Sequence, residues 1–181
     1  MKRLIMILAL TLGLSISASA QNYAVVNSEK VFKSIEKYNT AISQLDELAK
    51  QYQQKVDAKF EEVEKLYNTY IQHKASLSQA SQQANEENII KKEQEATEYQ
   101  ESIFGTDGEL MKKRLELIQP IQKQVFAAIE EYAKQKGYDM VIDIAQNATM
   151  LYYSPKADHT EAIIALLKNK QKQQKHTYKR L

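Results

Sequence analysis

The side chains able to do chemistry are few, and their spacing gathers no catalytic centre. The chain has three histidines, His73, His159 and His176, and no cysteine. None of the three lies three or four residues from another, the spacing that sets two ligands on one helix face, so no metal is expected. Gly105-Thr106-Asp107-Gly108 lacks both the glycine spacing and the preceding strand of a phosphate-binding loop. Glu61, Glu62 and Glu64 crowd together as the solvated face of a helix rather than as an acid–base pair. No enzyme activity and no cofactor are expected. With no Cys there is also no disulfide and no lipid attached at a processed Cys.

What the chain has instead is length in stripes. Tyr38, Ile42, Leu45, Ala49, Tyr52, Val56, Val63, Leu66 and Tyr70 recur at spacings of mostly three and four. Ile89, Ala96, Ile103, Leu110 and Leu117 then repeat every seventh residue. Such spacing keeps one face of a helix toward a partner, the pattern of a coiled coil. The polar stretch between them predicts a bend near residue 85, so the chain reads as an antiparallel helical hairpin. Its outward helix is expected over 28–82, and its return helix from Asn85. About 45 residues per arm would reach ~65–70 Å.

The ends read differently. Lys2 and Arg3, an apolar run from Leu4 to Leu14, and Ala18-Ser19-Ala20 have the layout of a secretory signal peptide cleaved after Ala20. The apolar run is shorter than the ~20 residues of a spanning helix. Losing Lys2 and Arg3 from the 25 basic residues leaves 23, which balance the 23 acidic ones. Tyr23–Asn27 is β-prone, and Ser28 offers an N-cap. Gly137 reads as a left-handed helix stop, and Tyr138–Ile144 and Thr149–Tyr153 as a β-hairpin. Asp158 and Glu161 begin a last helix. Residues 168–181 hold six Lys or Arg and no acid. They read as a basic, disordered tail rather than a nucleic-acid or acidic-lipid contact.

The fold class is therefore mostly α with a small β body, α+β. Residues 21–37 and 133–167 form that body, and 38–132 form a projecting hairpin arm with its tip near 80–88. So few strands make a marginal core with open sheet edges, which predicts self-association. Val25, Val26, Met140, Val141, Ile142, Leu151 and Tyr152 are the candidate contact residues.

Two features of the arm exceed what a plain hairpin needs. A second heptad line, Phe104, Met111, Ile118 and Val125, runs beside the first, and Phe60, Tyr67 and Ile71 flank the outward seam. These either widen the buried seam or leave an apolar strip open to a non-native polypeptide. Phe60, Tyr67, Ile71, Phe104 and Met111 are the candidate binding residues. Gly105, Gly108 and Pro120 interrupt the return helix, the glycines as a hinge or as a tolerated insertion and the proline as a kink.

In layout the whole exported chain resembles the Skp/OmpH family of periplasmic chaperones. In residues, the resemblance rests on Gly137-Tyr138-Asp139-Met140-Val141-Ile142-Asp143, Tyr152-Tyr153, Asp158-His159-Thr160-Glu161, and Tyr23–Asn27 with Phe32. Pro120 is similar to a proline of some members. The resemblance implies a periplasmic trimer whose arms enclose a cavity and hold unfolded outer-membrane proteins without ATP. One departure is plain. From Ala75 to Phe104 there are two Lys against six Glu, which counts against tip binding of lipopolysaccharide or acidic membranes. The alternative function is a structural coiled-coil spacer or adaptor of the cell envelope.

Overall fold

The structure is a computed structural model that describes residues 22–146 and 150–178, with side chains as far as 173. The expected signal peptide lies outside the described residues. In chain order the elements are β1 (Tyr23–Val26), α1 (Ser28–Lys33), α2 (Glu36–His73), α3 (Gln79–Phe104), α4 (Glu109–Lys136), β2 (Met140–Asp143) and α5 (Thr160–Tyr178). Mostly α with a small β sheet is the fold. The chain divides into two compact units: a hairpin, Phe32–Phe126, and an end unit built from the residues on either side of it.

Within the hairpin, α2 buries Ala41, Leu45, Tyr52, Val56 and Tyr70 along one face. The bend comes earlier than the sequence predicts. Lys74–Ser76 form a single 3-10 turn, Leu77 is extended, and Ser78 caps α3 by accepting from the Ser81 N–H at 3.2 Å. Gln82 donates to the carbonyls of Lys74 (3.1 Å) and Leu77 (3.2 Å), tying the first turn of α3 to the bend. Residues 79–82, expected at the end of the outward helix, and the turn expected after them belong to α3. Ala and Gln favour helix whether or not an apolar stripe runs through them, so a polar stretch is not by itself a bend.

Moving the bend moves the register. Lys92 pairs with Glu62 at 3.0 Å, and the Tyr70 hydroxyl donates to the Glu86 carboxylate. The midpoints of these pairs are residues 77 and 78, about one heptad before residue 85. Lys59 accordingly lies over the ring of Tyr99.

The end unit ties together the segments that flank the hairpin in sequence. β1 and β2 pair in parallel, Tyr23 opposite Met140 through Val26 opposite Asp143. Among the described residues the expected β-hairpin does not form: Met150–Tyr153 belongs to no strand, and residues 147–149 lie outside the described residues. Val25 instead bridges Asp158, and the His159 N–H donates to the Val25 carbonyl at 3.0 Å. Asn27, not Ser28, caps α1, its side chain accepting from the Lys30 N–H at 2.9 Å. Ser28 is the first helical residue and gives both its N–H (3.1 Å) and its hydroxyl (2.5 Å) to the Asp143 carboxylate. Gly137 does take the left-handed conformation, φ 71°. Residues 168–178, read as a disordered tail, continue α5. The core here is Ala24, Val25, Val26 and Val31 with Ile163, Ile164 and Leu167.

Candidate functional site

The described residues present exposed apolar surfaces on both units. Among the described residues no three His, Cys, Asp or Glu side chains stand where they could share a metal, and no helix is long and apolar enough to cross a membrane. His159 is structural: its ring nitrogens meet the hydroxyls of Tyr132 (3.0 Å) and Tyr138 (2.7 Å). His73 is exposed at the end of α2, and the side chain of His176 lies outside the described residues.

The five candidate binding residues are all exposed. Phe60, Tyr67 and Ile71 fall within an arc of about 40° on α2, at 100° per residue. Phe104 and Met111 stand on either side of the gap between α3 and α4. The second heptad line does not stay open as a whole. Its later members Ile118 and Val125 are buried, with Ile121 and Ala128 beside them. Leu110 and Leu117, assigned to the seam by their spacing, are only half-buried. The two lines are thus successive parts of one seam.

Sequence reasoning missed three of the most exposed apolar side chains of the hairpin: Ile90 (63%), Leu115 (52%) and Phe126 (57%). Met111, Leu115 and Phe126 share an arc of about 60° on α4, an apolar face beside the buried seam. The signal was present as the four-residue step from Met111 to Leu115 but was hidden by the seven-residue repeat. Phe126 keeps one aromatic neighbour, Phe32, with ring centres 6.4 Å apart.

The end unit shows a second apolar surface. Leu151 and Tyr152 are 97% and 80% exposed, and Met140 and Tyr23 are about half exposed on opposed positions of the sheet. Val141 and Ile142 are half-buried. Val25 and Val26, named above as contact candidates, are instead buried within their own chain, where Val25 bridges Asp158.

Of the interruptions, Gly105–Gly108 separates two helices, whereas Pro120 sits inside α4 and lines a shallow groove with Ala41, Leu117 and Ile121. Just past the gap, the buried Tyr52 phenol is pushed up to about 12, first by its hydrogen bond to Glu109 and then by burial. In the end unit, burial opposes the charge of Asp143, yet the hydroxyl of Ser28 and the N–H groups of Ala145 and Ser28 outweigh it and hold the carboxyl below its usual range. Asp158 is held low in the same way by Thr160.

An exposed apolar hairpin joined to a small two-stranded unit defines a class with known members. Over residues 22–167 the chain matches the family described as outer membrane protein (OmpH-like), and it belongs to that family. Its fold is similar to that of a Caulobacter crescentus CB15 protein described as an OmpH-like outer membrane chaperone. The TM-score is 0.62 at 12% identity, over 84% of this chain and 86% of that one. No curated protein sequence matches the chain significantly.

Proposed function

We propose that this protein is an ATP-independent periplasmic holdase that shields unfolded outer-membrane proteins from aggregation. The observation that carries the reading is the run of exposed apolar side chains on the hairpin of an OmpH-like chain: Phe60, Tyr67 and Ile71 on α2, Met111 and Leu115 on α4. Many weak apolar contacts on several arms would hold a client through avidity, without a shaped pocket. That in turn needs several arms. Self-association through Met140, Leu151 and Tyr152 provides them, and a trimer is the assembly that the family resemblance implies. No step of this mechanism calls on a nucleotide, a metal or a nucleic acid.

The test is direct. The mature protein, added to a urea-unfolded outer-membrane β-barrel before dilution, should suppress light scattering without ATP. Its solution mass should be a multiple of the chain and should rise with client bound. Scattering unchanged by a several-fold excess of the protein would favour the envelope spacer.

A further inference from the structure

The return side of the hairpin carries more residues than the outward side can match, and the surplus lies between two clasps. Near the bend, Tyr70 donates to Glu86. Past the gap, the Tyr52 phenol lies beside the Glu109 carboxylate, the neighbour that chiefly raises its pKa. From one clasp to the other α2 advances 18 residues, from 52 to 70, while the return side advances 23, from 86 to 109. As continuous helix these would span about 27 and 35 Å. Two helices lying side by side cannot differ by that much between the same two clasps. About five residues must be taken up off the axis, and α3 stops and α4 restarts with four residues between them, 105–108.

The seam gives an independent count. Ala96 and Ile103 are buried before the gap, and Ile118, Ile121, Val125 and Ala128 after it. Ile118 and Val125 lie 15 and 22 residues after Ile103, each one residue past a whole heptad and so off a seam of alternating threes and fours. With four residues removed they fall at 11 and 18, a heptad or two plus four, and Ile121 falls at 14, so all lie on that seam.

We propose that Gly105–Gly108 is a phase-neutral insertion, a four-residue loop thrown out of an otherwise continuous seam. It is a joint where the return helix yields while both halves keep their register against α2. The loop is tightly made. The Gly105 N–H closes α3 on the Glu101 carbonyl at 2.8 Å, and the Gly108 N–H donates to the Gly105 carbonyl at 2.9 Å. A Cβ at Gly105 would fall 2.5 Å from the Glu101 carbonyl oxygen, and one at Gly108 2.3 Å from that of Ile103. Gly108 brings no side chain to cap the first amides of α4, which start the helix without intrahelical acceptors. Opposite the gap α2 runs unbroken, so yielding is confined to the return side.

The inference does not depend on the chaperone reading, and a deletion series in the mature protein tests it. Removing residues 105–108 should leave the melting temperature at or above that of the parent, with more helix. Amide exchange at residues 109–111, fast in the parent, should slow at least tenfold. Removing only Thr106 and Asp107 should lower melting, because it leaves the loop too short to close and pulls the seam out of phase. The proposal is overturned if the four-residue deletion melts as low as the two-residue one or fails to fold. Parent amides at 109–111 that exchange as slowly as those of mid-α2 would also overturn it.

Discussion

The hairpin and the end unit hold themselves together in different ways. The hairpin repeats one small device, a buried side chain every three or four residues, over a long stretch. Its flanking ion pairs are exposed and individually worth little. The end unit has no repeat. Its sheet, caps and core join residues more than a hundred positions apart: Asn22 with Asp139, Ser28 with Asp143, Asn27 with Thr160. Losing one hairpin contact should loosen a turn or two of helix. Losing one end-unit contact should release the whole unit, because nothing local remains to hold its pieces in place.

The largest effect expected is therefore at Val25, which is fully buried on β1. Val25→Asp places an unpaired charge there at a cost of several kcal/mol. The end unit should unfold, and with it the self-association, while proteolysis still yields a protected fragment near 32–126. A single cooperative loss of all helix would show that the two units are not separable. Next comes the seam. Ile103→Ala should cost about 2–5 kcal/mol, the usual figure for a buried large-to-small change. Leu110→Ala, on the same sequence heptad but half-buried, should cost clearly less. Equal losses in urea melts would restore the unbroken heptad and remove the phase shift.

Opposite pH windows sharpen the contrast. Asp143 and Asp158 have folded-state values below the ordinary carboxylate range. Their stabilisation is complete above pH ~4 and is lost as pH falls through that value and below. The buried Tyr52 runs the other way: its value is raised, so its contribution is complete below pH ~10 and is lost as pH climbs toward 12. Glu86 in the hairpin is also lowered, by Tyr70 first and Lys74 second, but it is exposed and screened. Acid should thus unfold the end unit first, and Asp143→Asn should flatten that acid limb. Site-resolved exchange at pH 3 and pH 11 reads both.

These differences set what the sequence could reveal. The α2 stripe was legible because Leu45, Tyr52, Val56 and Tyr70 obey a local period, and a period needs no partner to be seen. The bend was misplaced because Gln79–Asn85 is polar yet helical. The parallel pairing of β1 with β2 was invisible, since Tyr23 and Met140 meet only after the whole hairpin intervenes. A strand at Thr149–Tyr153 looked like the natural partner only because it was near in sequence. Within the candidate site, Phe60, Tyr67 and Met111 could be found as excess beside a seam. Leu115 and Phe126 were masked, because the seven-residue repeat hid the four-residue step from Met111 to Leu115.

The smallest effect expected on stability, and the most informative for function, is at the exposed strip. Phe60, Tyr67, Met111 and Leu115 are each a third to a half exposed. Replacing all four by Ser removes side chains a third to a half in water, so the cost at each site is ~0.5 kcal/mol of helix propensity plus the buried remainder, well below that of a fully buried side chain. Melting should fall by only a few degrees, far less than for Ile103→Ala alone relative to the number of side chains removed. Phe104 is left in place because it ends α3 beside the joint, where a change would mix binding with the break. If the strip holds clients, suppression of barrel aggregation should drop several-fold with helicity and solution mass intact. If melting collapses instead, the strip is covered in the assembly and belongs to an interface. If both readouts are unchanged, clients are held elsewhere, and the exposed Leu151 and Tyr152 become the next residues to replace.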